Sequence, residues 1–364
     1  MNLEQFYKGK KVFITGHTGF KGSWMCKVLL EMGAEVTGYS LLPTVEPNLF
    51  QILHLEKQIN TQYGDIRDIC SLQKAVTSCQ PEIVFHLAAQ PIVREAYNDP
   101  VNTYEVNVLG TVNLLESIRH SKSIKSVVNI TTDKVYKNNE WEWGYRESDE
   151  LCGYDPYSNS KSCSELVTES YKNSFLNKMN IAVTTARAGN VIGGGDFAKD
   201  RIIPDCVRAI MENRNIIIRN PYSTRPYQHV LESIFAYLLI AAMQYDDIKI
   251  SGNYNIGPEE NGCLTTGKLV SLFCEKWKVY TGKILTWENE YEGGPHEANL
   301  LKLDCSKAKT KLAWKPIWRI NTAVEKVVEW IAAYLQGTDI SQLMTEQITE
   351  YMTQFNRSNL TEVS

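Results

Sequence analysis

From Lys11 to about Lys122, short β-branched runs take turns with longer stretches whose apolar positions recur every three to four residues. KVFIT leads to FKGSWMCKVLLEMG, then AEVTGYS, later EIVFHLA, and then VNTYEVNVLGTVNLLESIRHS. Such repetition predicts a parallel sheet, because parallel neighbours need a crossover of a dozen or more residues. SVVNITT (126–132) and IAVTTAR (181–187) continue the sheet, with a helix between them from about Pro156 to Leu176, so at least six parallel strands are expected.

After Arg187 the pattern changes. Gly193–Gly195 make a loop, segments shorten, and the strands NIIIRN and TRPYQHV no longer alternate strictly with helices. Helices are expected at 229–244, 266–278 and 322–335, and the tail after about Asp339 is polar with one helical pattern. The predicted fold is α/β: a Rossmann-type doubly wound parallel sheet over 1–187, with returns from about 225–258. A smaller mixed lobe shaping a substrate pocket over 188–340 and a tail at 341–364 complete it.

Composition narrows the partners. A chain of 364 residues with 43% hydrophobic content can bury a large core, and 38 basic against 42 acidic residues, well mixed, leave no basic stripe for nucleic acid. No apolar run reaches the roughly 18–20 residues of a membrane span, and MNLEQFYKGKK enters a strand without a signal-peptide core, so a cytoplasmic protein is expected. Nine cysteines without a CxxC pair read as free thiols, and His229 and His296 share no metal-ligand spacing, so no metal is expected.

In TGHTGFKG the glycines fall at 16, 19 and 22, between the strand KVFIT and an amphipathic helix. At the carboxyl end of a first strand the chain must turn tightly, let backbone approach a pyrophosphate and open a helix whose amides favour the anion. An NTPase phosphate loop needs four residues between its glycines and then Gly-Lys-Ser/Thr, whereas here Lys21 precedes Gly22. The acid that usually bonds the adenosine ribose is missing: Tyr39, Ser40 and Leu41 stand there, and Glu46 is the first acid. With no arginine cluster for a 2′-phosphate either, NAD is preferred to NADP, and Asp65 in GDIRD is a candidate adenine neighbour.

Tyr157 and Lys161 stand four apart at the start of a helix, after Asp155 as cap and Pro156 as first-turn residue, so they share a face. A lysine cation beside a phenol lowers its pKa, so that tyrosine can take a proton from a sugar hydroxyl while hydride leaves the same carbon. TTDKVY (131–136) closes a strand at the carboxyl edge of the sheet. There Thr132 can bond a reacting oxygen, Asp133 can act as an acid and Lys134, if desolvated, as a base.

TGHTGFKG, HLAAQP, TTDKVY and YSNSK resemble the extended short-chain dehydrogenase/reductase family over nearly the whole chain. GYSLLPTVEPNLF (38–50), AGNVIGGGDFAKDRIIPD (188–205), STRPYQHV (223–230) and HEANLLKLDCSKA (296–308) are similar to the CDP-glucose branch of its nucleotide-sugar 4,6-dehydratases. The resemblance implies bound NAD contacted by Gly16, Thr18, Gly19, Phe20, Gly22, Asp65, Ile66, Leu87, Ala88, Ala89, Tyr157 and Lys161. It implies that CDP-glucose is oxidised at carbon 4 by Tyr157 with Thr132 and Lys161, and loses water through Lys134 on carbon 5 and Asp133 on the 6-hydroxyl. Hydride then returns to carbon 6. Sister enzymes on dTDP-glucose carry Asp-Glu where this chain has Asp133-Lys134.

On the substrate side, His86, Gln90, Asn190, Arg201, Arg225 and His296 are expected contacts, although His86 reads equally as a packed core residue. Trp141, Trp143 and Tyr145 are expected to cover the pocket loop, and long helices such as 101–119 and 156–176 to pair copies into a homodimer or homotetramer. A nucleotide-sugar 4-epimerase shares the glycine loop, Thr132, Tyr157 and Lys161 but has no need of Asp133 and Lys134. A non-catalytic dinucleotide sensor has no need of Tyr157 and Lys161.

Overall fold

The computed structural model describes residues 1–290 and 300–360. Its strands are β1 (Lys11–Thr15), β2 (Glu35–Ser40), β3 (Asn60–Tyr63), β4 (Ile83–His86), β5 (Ser126–Ile130) and β6 (Ala182–Ala188), then β7 (Asn190–Ile192), β8 (Ile216–Ile218), β9 (Thr224–His229), β10 (Asn253–Ile256), β11 (Cys263–Thr265) and β12 (Trp287–Asn289). Seven of these form a parallel sheet in the order β10-β6-β5-β4-β1-β2-β3. The order reverses between β1 and β4, and in open α/β sheets ligands bind in the crevice outside that point.

The continuous apolar runs follow from burial on both faces. Val12 and Ile14 of β1, Ile83 and Phe85 of β4, and Val128 and Ile130 of β5 enter one core; Phe13, Val84 and Val127 enter the other. Side chains of period two thus sort the same run onto opposite sides. β3 (NTQY) and β10 (NYNI), which have no such run, bring the sheet to seven strands from the expected minimum of six.

Beyond Arg187, β9 lies between β7 and β11, and β8 pairs with β12. The helices Val230–Asp246, Thr266–Thr281 and Ile320–Leu335 match the expected stretches, and the tail forms the helix Ile340–Leu360. Val230–Asp246 is buried along nearly its whole length, against β5 and β6. Its Glu232, 0% exposed, accepts hydrogen bonds from the amides of Ile317 (3.0 Å) and Trp318 (2.6 Å) and from the Tyr351 hydroxyl (2.6 Å). One buried carboxyl therefore ties the tail helix to the centre of the larger core. All nine cysteines are free, and among the described residues no helix is long and apolar enough to cross a membrane.

Candidate active site

The glycine loop runs from the end of β1 into the helix Phe20–Glu31 at the reversal of strand order. Gly16 has φ +76° and lies against the backbone after β4, where an added Cβ would sit 2.6 Å from the Ala88 nitrogen. A Cβ on Gly22 would stand 2.2 Å from the Gly16 carbonyl oxygen. Gly19 is the N-cap and supplies no side chain, so the first-turn amides are left to a ligand. This close-packed turn with an uncapped helix start fits a dinucleotide pyrophosphate.

Where the acid is missing after β2, two hydroxyls meet. Thr18 donates to the Leu41 carbonyl at 3.0 Å, so Ser40, 2.9 Å away, is the donor in its bond to Thr18. Asp65 follows β3 and holds Arg67 at 2.6 Å, which keeps its carboxyl below the usual range. Ile66 is buried under Gly110, and Leu87 and Ala88 turn back onto β1 through bonds to Thr15.

Tyr157 and Lys161 start the helix Pro156–Tyr171, whose cap Asp155 accepts from the amide (3.0 Å) and hydroxyl (2.5 Å) of Ser158. Lys161 is buried and donates to the Ile130 carbonyl at the end of β5, 3.2 Å away. Burial lowers its ammonium to about 8 while Glu165, one turn on, opposes the fall. Burial pushes the Tyr157 phenol up to about 12, and what pulls it back is the Thr132 hydroxyl and the charge of Arg201. Arg201, rather than Lys161, is the cation this phenol feels most strongly.

Thr131 to Tyr136 leave β5 as a short turn anchored at both ends. Thr131 donates to Glu165, which also takes Thr185 (2.6 Å) and the Arg187 guanidinium (2.8 Å). Arg187 in turn donates to Tyr136 (2.9 Å), and Tyr136 to Asn255 (2.6 Å). Both ion-pair partners are at most 2% exposed. Between the anchors, Thr132 donates to Oδ1 of Asp133 at 3.0 Å, while the other carboxyl oxygen has no partner among the described residues. Asp133 is 2% exposed, and burial raises it above the ordinary aspartate range.

These groups open on a cavity of about 830 Å³, a volume suited to a small-molecule ligand, with Thr132, Asp133, Lys134 and Tyr157 in its wall. Phe20, Asn190, Arg201 and Arg225 line it as well. Arg201 is held by Asp196 at 3.0 Å; this carboxylate is a cavity residue that motif reading passes over, and Lys21, weighed above only as part of a phosphate loop, is another.

Other expected contacts are placed elsewhere. Both ring nitrogens of His86 are engaged, by Thr15 at 2.7 Å and Thr111 at 3.1 Å, and burial lowers the ring to about 3. It is a packed core residue off the cavity wall. Gln90 is likewise occupied: its side chain donates to Thr103 (2.9 Å) and accepts from Ile92 (2.6 Å), and its amide bonds Asn107 (2.8 Å). The substrate expectation for His86 is corrected, since both its ring nitrogens are engaged; Gln90 lies off the cavity wall. Trp141 and Tyr145 stack behind Tyr136, covering the back of the turn, not the cavity. His296 lies outside the described residues.

A family model described as GDP-mannose 4,6 dehydratase matches residues 13–327. The chain is 46% identical over 360 residues to a CDP-glucose 4,6-dehydratase of Salmonella typhimurium, covering 97% of this chain and 99% of the relative. It is 25% identical to a human GDP-mannose 4,6 dehydratase, covering 86% of this chain and 89% of the relative. In fold it is similar to a UDP-glucuronic acid 4-epimerase from Bacillus cereus, solved with UDP-glucuronic acid and NAD (TM-score 0.75, 24% identity, 89% and 99% covered). The chain belongs to the GDP-mannose 4,6 dehydratase family of nucleotide-sugar enzymes.

Proposed function

We propose that this enzyme dehydrates CDP-glucose to CDP-4-keto-6-deoxyglucose, with NAD held at the glycine loop. The observation that carries the reading is the joint exposure of Thr132, Asp133, Lys134 and Tyr157 to one cavity. When bound, NAD supplies a two-electron acceptor for carbon 4 and gives the electrons back at carbon 6. Tyr157 takes the proton of the 4-hydroxyl while Thr132 bonds the same oxygen, and Lys161 holds the cofactor side. The 4-keto group then acidifies carbon 5, whose proton goes to Lys134. Asp133, whose burial favours the protonated form, gives its proton to the 6-oxygen, which leaves as water. Asn190, Arg201 and Arg225 take the nucleotide diphosphate.

A 4-epimerase needs only the first step, so the acid and base beside Tyr157 favour elimination. The choice of cytosine follows the 46%-identical relative named for CDP-glucose. Incubation with CDP-glucose, dTDP-glucose, UDP-glucose and GDP-mannose tests the reading, followed by the alkaline ultraviolet absorbance of a 4-keto-6-deoxy product. CDP-glucose is expected to give it fastest, and no product from any of the four overturns the proposal. Lys134→Ala is expected to abolish solvent deuterium uptake at carbon 5; normal uptake removes Lys134 from the base role. Exposed Val101, Leu109, Leu166 and Phe175 on the helices around 100–119 and 156–176 support pairing of two copies there, and sedimentation is expected to report a dimer or tetramer.

A further inference from the structure

Lys21 belongs to the glycine loop by sequence but not by chemistry. It is the second residue of the helix Phe20–Glu31, and its side chain reaches the cavity wall that holds Asp133, Tyr157 and Arg201. Among the described residues no hydrogen bond or ion pair engages its amine. The charged groups that act on it are Arg201 and Lys161, which repel its proton, and Asp133 and Asp196, which favour it. Burial, with this repulsion added, brings the amine to about 8, so both its forms are accessible near neutrality. Asp133 lines the same cavity, and its unpartnered oxygen belongs to a side chain only 2% exposed. The structure therefore holds an unengaged amine and an unengaged buried carboxyl oxygen on one cavity.

Proton balance gives the pair a task. In the reaction proposed above, on which this inference rests, the 4-hydroxyl proton ends on Tyr157, and the carbon-5 proton goes to Lys134 and returns to carbon 5. The bond from carbon 6 to oxygen breaks as Asp133's O–H proton joins the departing oxygen, so water carries that proton away. Each turnover thus leaves Asp133 one proton short and Tyr157 one proton over. We propose that Lys21 restores Asp133: its N–H bond breaks, an O–H bond forms on the open carboxyl oxygen, and the amine takes up the proton that Tyr157 releases into cavity water. Lys21 acts through Asp133 and is a positioning and proton-returning residue for the elimination.

Rapid mixing of Lys21→Met with CDP-glucose and NAD is the test. The proposed elimination begins with the proton on Asp133, so a first equivalent of product per site is expected at close to the unsubstituted rate, followed by steady turnover at least about tenfold slower. Lys21→Arg is expected not to rescue, because a guanidinium keeps its proton. Steady turnover within about twofold of the parent, a slow first equivalent in a folded Lys21→Met protein, or full rescue by arginine overturns the proposal. In the ligand-free protein, NMR titration of the Lys21 side chain gives a readout without turnover. Asp133→Asn is expected to lower its midpoint, and an unchanged midpoint overturns the coupling. A parent enzyme that dehydrates none of the four nucleotide sugars overturns the assigned reaction instead, and the titration still decides the Lys21–Asp133 link.

Discussion

Two single-residue changes separate cofactor grip from chemistry. Gly22→Ala places a methyl 2.2 Å from a backbone oxygen that no rotamer can move, so the turn must open. Dinucleotide affinity by calorimetry is expected to fall at least about tenfold, a loss of ~1.4 kcal/mol. Tyr157→Phe keeps the ring and removes the proton acceptor, so kcat is expected to drop about 100-fold or more with KM for the nucleotide sugar little changed. An unchanged kcat would exclude the phenol from the reaction. At this scale, residue type and motif position picked out Thr132, Asp133, Tyr157 and Arg225, which line one cavity. The sequence misled at His86, because nearness to a strand end does not say which way a side chain turns or which hydroxyl already holds it. It passed over Asp196 and weighed Lys21 only as part of a phosphate loop, because it is the folded chain that brings both to one cavity.

At the scale of elements, the turn after β5 is fixed from behind by Glu165 and Arg187. Glu165→Gln leaves a guanidinium 1% exposed without its counter-charge, and the expected loss in urea unfolding is about 3–5 kcal/mol. The double change Glu165→Leu with Arg187→Met is expected to recover most of that stability. It should not recover turnover, because Thr131 and Tyr136 lose the partners that hold the turn proposed to carry Thr132, Asp133 and Lys134 to the substrate. Full recovery of both would make the pair a packing feature only. Strands with apolar runs were legible for the same reason this pair matters: burial on two faces demands specific side chains. β3 and β10 sit at the two ends of the sheet order, and their polar sequences are strands only because β2 and β6 offer them backbone bonds. Nothing local announces them.

For the whole molecule, acid response follows from three buried neutral rings. Burial lowers His17 to about 4 and His86 and His229 to about 3, against about 6.5 when unfolded. Their contribution is complete above pH 6.5 and is lost as pH falls toward 3, roughly 2 kcal/mol each by pH 5. Glu232, raised to about 7, works in the opposite direction: it favours the fold as pH falls from 7 toward 4.5 and offsets about one histidine. Urea midpoints are therefore expected to show a net loss of about 3–4 kcal/mol between pH 7 and pH 5, reduced in His229→Gln. Equal midpoints would sink this account.

The same Glu232 also sets an order of events during synthesis. The ribosome releases it 119 residues before its partner Tyr351, so the helix around it waits with a buried-to-be carboxyl and no phenol to meet it. A nascent chain can close the sheet early, yet its central helix stays one wall short until the tail emerges. Chain fragments that stop before Tyr351 are consequently expected to stay bound to chaperones, whatever their catalytic residues.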